Sequence, residues 1–221
     1  MMNQINSIVS KFSDISYQEI QKSLPKDFNE IDNVLVELEE IKKSFLDNIA
    51  IRDKKIFIHM AGLPGSGKTT YCKENILKEY DTEEIVYLGF DDVMEKISYY
   101  QIDKEINTTI AFSNWEIPAR ILGYEILAEA YEKGLSVILD NGGANPKHVE
   151  IINAFKESGY TTKMFYLNGK PEELIDRIKE REKVTKRAFP IERLGPRYES
   201  LLENINIYKN TVDEFVEVSN T

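Results

Sequence analysis

The chain of 221 residues holds one cysteine, two histidines and one tryptophan, and each scarcity removes a class of protein. With Cys72 alone, no disulfide can close within the chain and no cysteine cluster can hold a metal. No apolar run approaches the roughly 18 residues that a membrane-crossing helix needs. The opening stretch MMNQINSIVSK lacks the basic start and long apolar core of a secretory leader. The expectation is a cytoplasmic protein without a membrane segment. Positive charge is short as well: 28 Lys and Arg face 38 Asp and Glu, for a formal charge of −10. Phosphate-backbone binding needs a concentrated basic face, so no extended nucleic-acid surface is expected. Repeats and low-complexity tracts are also missing.

What is present centres on residues 56–77, IFIHMAGLPGSGKTTYCKENIL. An apolar, strand-like run ends in Gly62-Leu63-Pro64-Gly65-Ser66-Gly67-Lys68-Thr69, which satisfies G-x-x-x-x-G-K-[ST] and leads into a helix-like stretch. The glycines let successive N–H groups of Gly62, Gly65, Ser66, Gly67 and the residues after them curl around phosphate oxygens, with Pro64, which has no N–H, a further candidate contact in the loop. Lys68 adds a point charge for the β- and γ-phosphates. Thr69 is placed to ligate Mg²⁺, and Thr70 follows at the helix start. This pattern predicts binding of ATP with Mg²⁺.

From residue 56 onward, strand-like runs at 56–61, 85–89, 135–140, 161–167 and 214–218 alternate with helical patterns at 68–79, 92–100, 104–112, 117–133, 146–157, 171–184 and 196–209. Such alternation predicts an α/β domain, a parallel five-stranded sheet flanked by helices. Residues 1–15 read as irregular, with a short helix over 16–24. A longer amphipathic helix spans about 27–49, where Ile31, Val34, Leu35, Leu38, Ile41, Phe45 and Ile49 form one apolar stripe. The expected organisation is an N-terminal helical extension (1–52) followed by a P-loop kinase domain (53–221).

In open α/β sheets, ligands gather at the carboxyl ends of the strands. The second strand ends in Gly89-Phe90-Asp91-Asp92. Asp91 is the candidate base for an attacking hydroxyl and also a candidate helix N-cap, while Asp92 is expected to be a solvated first-turn residue. The third strand ends in Asp140-Asn141-Gly142-Gly143-Ala144-Asn145-Pro146. There Asp140 is the candidate metal or substrate ligand, and Asn141 and Asn145 are candidate substrate contacts; Asn145 also suits a cap before Pro146. Residues 177–197 carry Arg177, Lys179, Arg181, Lys183, Lys186, Arg187, Arg193 and Arg197 against Glu180, Glu182 and Glu192. A basic segment in an acidic chain suits a lid whose Arg181 and Arg187 clamp phosphates, with Lys179 and Lys183 on a solvated face. His59 is expected to be packed mid-strand and His148 to sit in the first turn of a helix. Core packing is the expectation for Tyr99, Tyr100, Phe112 and Trp115.

The order of P-loop, Asp91, Asp140 and the Arg181/Arg187 pair resembles the zeta toxin family of P-loop kinases and, more distantly, the polynucleotide kinase group. Local likeness is strongest at Leu63–Thr69, Gly159–Met164 and Lys186–Pro190. The resemblance implies transfer of the γ-phosphate of ATP to a sugar hydroxyl of UDP-N-acetylglucosamine, with Asp91 as base and Lys68, Arg181 and Arg187 on the phosphates. It also implies a small helical antitoxin as partner. Where the family has a basic residue three places after the base, this chain has Met94. Where the family runs Gly-Thr-Gly-Arg, it has Asn141-Gly142-Gly143-Ala144. Without an arginine there, the expected acceptor is a small molecule or nucleotide less anionic than UDP-N-acetylglucosamine, or differently shaped. The other readings are a regulatory ATP-hydrolysing module without an acceptor and a polynucleotide 5′-kinase-like enzyme.

Overall fold

The computed structural model describes residues 23–25 and 28–219. The expectations for residues 1–15 and for a helix over 16–24 therefore fall essentially outside the described residues. Five strands form one sheet: β1 (Ile56–Ala61), β2 (Ile85–Gly89), β3 (Ser136–Asp140), β4 (Thr161–Asn168) and β5 (Glu214–Ser219), in the order β2-β3-β1-β4-β5. Every pairing is parallel, as the strand–helix alternation predicts. Eight α-helices flank it among the described residues: α1 (Ile31–Leu46), α2 (Lys68–Tyr71), α3 (Phe90–Lys96), α4 (Ser98–Ile106), α5 (Thr108–Glu132), α6 (His148–Glu157), α7 (Pro171–Thr185) and α8 (Leu194–Thr211).

β1 is central and buried along its whole length, because helices cover both of its faces. Its period of two divides the core. Phe57 and Ala61 join a large cluster with Val34, Leu38, Trp115 and Phe155. Ile56, Ile58 and Met60 join a smaller one with Cys72, Ile76 and Ile138. A third cluster of Leu63, Leu174, Ile178, Phe189 and Leu194 seats the basic segment over the P-loop. Burial pushes the Cys72 thiol up to about 12, so it behaves as a small apolar side chain.

Three helical readings differ from the structure. The expected helix 68–79 has one α-helical turn, then a π-turn over Cys72–Ile76 and a 3₁₀ turn over Leu77–Glu79. The expected helix 92–100 breaks at Ile97, which is extended (ψ 116°) and separates α3 from α4. The expected pair 104–112 and 117–133 is instead partitioned so that α5 runs unbroken for 25 residues with Pro118 inside it. Proline removes one ladder hydrogen bond, but the neighbouring turn is held from outside. Asp103 accepts hydrogen bonds from Trp115 Nε1 (2.8 Å) and Asn114 Nδ2 (3.0 Å), and Phe28 packs edge-on against the Trp115 ring. The observed cap of α5 is Asn107, whose side chain accepts from the N–H groups of Thr109 and Ile110.

Of the expected stripe, Val34, Leu38 and Ile41 pack onto this core, with Phe45 and Ile49 partly buried against it and Leu46 added from outside the stripe. Ile31 is exposed, and the helix spans Ile31–Leu46 rather than 27–49. Between α1 and α5 lies Glu125, whose carboxyl burial raises from an ordinary 4.5 to about 7, with Lys42 opposing the rise and Glu39 and Glu129 adding to it. A carboxyl whose pKa is raised on folding favours the folded state below about pH 4.5 and loses that contribution as pH climbs toward 7. Glu125→Gln is therefore expected to leave stability nearly unchanged at pH 5 and to raise it at pH 8 by on the order of 2 kcal/mol. Urea melts of both proteins at the two pH values check this; an equal shift at both would show that ionisation of Glu125 is not the cause.

Candidate active site

The strand order brings the informative residues to one edge of the sheet. Asp140 ends β3, in register with Met60 of β1 on one side and Gly89 of β2 on the other. It therefore lies between the strand that feeds the P-loop and the strand that feeds Asp91. The Gly62 N–H donates to the Gly142 carbonyl (3.1 Å), which joins the P-loop to the turn after β3. Gly62 (φ 144°), Gly65 (φ 82°) and Gly67 (φ 84°) all have positive φ, so the loop's curl depends on residues without a Cβ. At Gly62 a Cβ would stand 2.6 Å from the Leu167 carbonyl oxygen. Within the loop, the Ser66 N–H donates to the Leu63 carbonyl (3.1 Å), and Lys68 Nζ donates to the same oxygen (2.9 Å). Burial lowers the Lys68 pKa, while Asp140 and Asp91 act to raise it.

A cleft of about 660 Å³ opens over this edge. Gly62, Pro64, Gly65, Gly67, Lys68, Thr69, Thr70, Asp91, Asp140, Asn141, Asn145, Arg181 and Arg187 all line it. Ser66 is fully buried within the loop, where its N–H closes the turn. The Thr69 hydroxyl donates to Asp140 Oδ2 (2.6 Å), as does the Tyr87 hydroxyl (2.8 Å). Two hard-oxygen groups in hydrogen-bond contact at the foot of a P-loop suit Mg²⁺ held jointly with a nucleotide. Among the described residues no group of three His, Cys, Asp or Glu side chains stands together as a metal cage.

The Asp91/Asp92 pair differs from expectation in one member. Asp91 lies in the first turn of α3 with its side chain 59% exposed toward the cleft, ion-paired with Arg187; Gly89, not Asp91, is the N-cap. Asp92 is half-buried rather than solvated, and a Cβ on Gly89 would meet its Oδ2 at 2.5 Å. Burial raises its pKa, against the pull of Lys73 and Arg187.

The two lid arginines are both turned inward. Arg181, on the last turns of α7, has a buried Nε without a hydrogen-bond partner. Burial lowers its pKa and the nearby Arg187 adds to the effect. Burial alone would lower Arg187, yet Asp91, Glu95 and Asp92 together hold it above its ordinary value. Asn141 and Asn145 mostly serve their own turn: Asn141 Oδ1 accepts from the Gly143 N–H (3.3 Å) and Asn145 Oδ1 from the Lys147 N–H (3.0 Å). The cap expected at Asn145 thus closes a turn at 145–147, and α6 starts at His148.

Sequence reasoning missed the far wall of the cleft. There Glu116, on α5, accepts from Arg120 Nη2 (2.9 Å) and Arg193 Nη1 (2.9 Å), with Arg197 Nη2 at 3.6 Å. Glu116, Arg120 and Arg197 line the cleft beside Phe112 and Tyr124. A Glu-x-x-x-Arg pair on a helix looks like an ordinary surface ion pair, so only the inward rotation of α5 reveals it. Position 144 has no guanidinium, but Arg120 on α5 and Arg197 on α8 bring two into the same cleft. His59 is packed as expected, its Nε2 3.2 Å from Nδ1 of His148, whose Nε2 meets the Tyr124 hydroxyl at 3.0 Å. Burial brings the His148 pKa down to about 4. Trp115 and Tyr100 are core residues as expected, whereas Phe112 packs in the core and also reaches the cleft.

A parallel sheet with a P-loop on its central strand and a basic segment folded above defines an α/β fold of the P-loop kinase type. The chain matches the Zeta toxin family profile over residues 42–221, and it belongs to that family. Its fold is similar to a protein of the PezAT chromosomal toxin–antitoxin system of Streptococcus pneumoniae, at TM-score 0.69 and 15% identity, covering 88% of this chain and 80% of that one. It is also similar to a structure of AvrRxo1-ORF1:AvrRxo1-ORF2 with sulphate ions, at TM-score 0.60 and 12% identity. That match covers 96% of this chain but only 62% of the other. No curated protein sequence matches the chain. Among the described residues no helix is long and apolar enough to cross a membrane.

The P-loop geometry carries its own test. Gly62→Ala forces a Cβ against a backbone oxygen at a φ that side chains rarely adopt. A loss of about 2 kcal/mol or more in folding stability is expected, and chemical denaturation measures it. A fully stable, nucleotide-binding Gly62→Ala protein would mean that the loop is not held in this conformation.

Proposed function

We propose that the chain is an ATP-dependent phosphotransferase that moves the γ-phosphoryl group to a hydroxyl of a small acceptor carrying an anionic group. The observation behind this reading is the convergence on one cleft of the P-loop, Asp91 and the inward-turned Arg181 and Arg187. In it, the P-loop N–H groups and Lys68 hold the nucleotide phosphates. The Lys68 ammonium turns from the Leu63 carbonyl to the β- and γ-phosphates once they arrive. Asp91 accepts the proton of the acceptor hydroxyl as that oxygen attacks the γ-phosphorus. Arg181 and Arg187 place planar donors against the equatorial oxygens of the transferred group. Thr69 and Asp140 would hold Mg²⁺, which supplies neutralisation of phosphate charge when bound. The phosphoryl group leaves ADP for the acceptor oxygen, and the proton goes to Asp91.

The acceptor half of the cleft supports an anionic molecule. Three arginines share the single carboxylate of Glu116, which leaves positive charge there in an acidic protein. Arg120 and Arg197 are able to meet a phosphate or diphosphate, and Phe112 and Tyr124 to pack a flat or apolar part. UDP-N-acetylglucosamine, the acceptor that family resemblance implies, fits this description, with Arg120 and Arg197 offered in place of the arginine missing at position 144. A small helical inhibitor protein is the partner proposed on the same resemblance, and a structural relative comes from a toxin–antitoxin system.

Two substitution series test the assignment. Asp91→Asn is expected to lower kcat by about 10²–10⁴-fold with ATP affinity little changed, whereas Asp92→Asn, away from the Arg187 pair, costs less. A larger loss at Asp92 would move the base to that residue. Arg120→Ala is expected to raise the KM for UDP-N-acetylglucosamine by about ten-fold or more, the cost of one charge-assisted contact, while the KM for ATP stays constant. Steady-state kinetics with both substrates varied separates these effects. No turnover of this acceptor by the unaltered protein, with ATP bound normally, would point to a different anionic acceptor, to be found by labelled ATP in a metabolite extract.

A further inference from the structure

Arg187 stands between two carboxylates on one face of α3. Asp91 and Glu95 are four residues apart, so one helical turn stacks them. The Arg187 Nη2 group is ion-paired with Asp91, and its Nε lies 3.6 Å from Glu95 Oε1. Glu95 itself is fixed from behind. Its Oε2 accepts from Lys104 Nζ (2.7 Å) and from Gln101 Nε2 (2.8 Å), and Lys104 is only 9% exposed. The other oxygen, Oε1, is buried without a hydrogen-bond partner and faces the guanidinium. The backbone before Arg187 is likewise set, by Lys186 in the left-handed region (φ 54°) and by the Lys186–Glu105 ion pair.

On the phosphotransferase reading above, this arrangement contains a conflict. A guanidinium on Asp91 covers an oxygen that has to accept the acceptor's proton. We infer that Glu95 is a positioning residue for Arg187, which draws the Nε edge of the guanidinium onto its buried Oε1 and so turns the Nη edge from Asp91 to the γ-phosphate. A guanidinium has donors on both edges and can serve a carboxylate with one and a phosphoryl group with the other. Closing the 3.6 Å gap to an ordinary hydrogen bond of about 2.9 Å also satisfies the buried oxygen. Without Glu95 the guanidinium keeps its ion pair with Asp91, with Asp92 acting on it only at longer range, and the proposed base stays covered.

The test uses two readouts on the full chain. In NMR of ¹⁵N-arginine-labelled protein, the Arg187 Nε–H signal is assigned by its loss in Arg187→Lys. With Mg²⁺ and the non-hydrolysable ATP analogue AMP-PNP, that proton is expected to become protected from exchange at least ten-fold, and Glu95→Gln is expected to abolish the protection. Equal protection with and without the Glu95 carboxylate overturns the inference. The second readout is ADP release with water as acceptor, measured in a double-mutant cycle of Glu95→Gln and Arg187→Ala. Glu95→Gln alone is expected to lower kcat by about ten-fold or more with the KM for ATP changed less than three-fold. In the Arg187→Ala background it is expected to have no further effect.

Independent, multiplicative losses in the cycle would overturn the inference. So would recovery of kcat in Glu95→Gln/Lys104→Met, a variant that removes the stranded buried ammonium and is expected to regain melting temperature without regaining turnover. If Arg187→Ala by itself turned over ATP like the unaltered protein, the role given to Arg187 in the phosphotransferase reading would fall, which is a separate outcome from failure at Glu95.

Discussion

The pairing of β1 with β3 is the constraint on which the site depends. Strand order β2-β3-β1 sets the P-loop, Asp140 and the start of α3 side by side. The Gly62 N–H to Gly142 carbonyl bond and the Thr69–Asp140 bond then tie the ends of the strands together. Parallel strands need crossovers, and each crossover helix returns the chain to the opposite end of the sheet. All carboxyl ends thus point the same way, and loops far apart in sequence become one wall. Nothing local to Asp140 or Thr69 could produce their contact.

Above that wall the chain is arranged as opposed charges under restrained burial. Within residues 177–197, Lys179 and Lys183 face solvent as expected, while Leu174, Ile178, Phe189 and Leu194 pack on Leu63 of the P-loop and hold the segment down. This apolar seat compels Arg181 and Arg187 to lose water, and the cost is met for Arg187 by Asp91 and Glu95. For Arg181 it is met incompletely, since its Nε has no hydrogen-bond partner. On the phosphotransferase reading, an incoming polyanion relieves this incompletely satisfied, half-buried cation. The same reasoning applies at the far wall, where Glu116 is shared among Arg120, Arg193 and Arg197.

The sequence by itself determined the five strands, their parallel arrangement, the P-loop and the residues at the strand ends. It could do so because these depend on period, on turn chemistry and on glycines that only one backbone shape requires. It also determined which side of α1 packs inward, since a stripe at spacings of three and four has one low-energy orientation. Only the tertiary structure decided the rest. The patterns at 104–112 and 117–133 read as two helices, yet Asp103 and Phe28 hold the Trp115 turn and α5 runs unbroken through Pro118. Asp92 reads as a solvated first-turn acid, yet the fold half-buries it over Gly89. Glu116 and Arg120 carry no signal in the sequence beyond helical spacing, yet the rotation of α5 aims them into the cleft. In each case the deciding contact comes from a residue distant in the chain or from how a helix is turned, and neither leaves a mark on local periodicity.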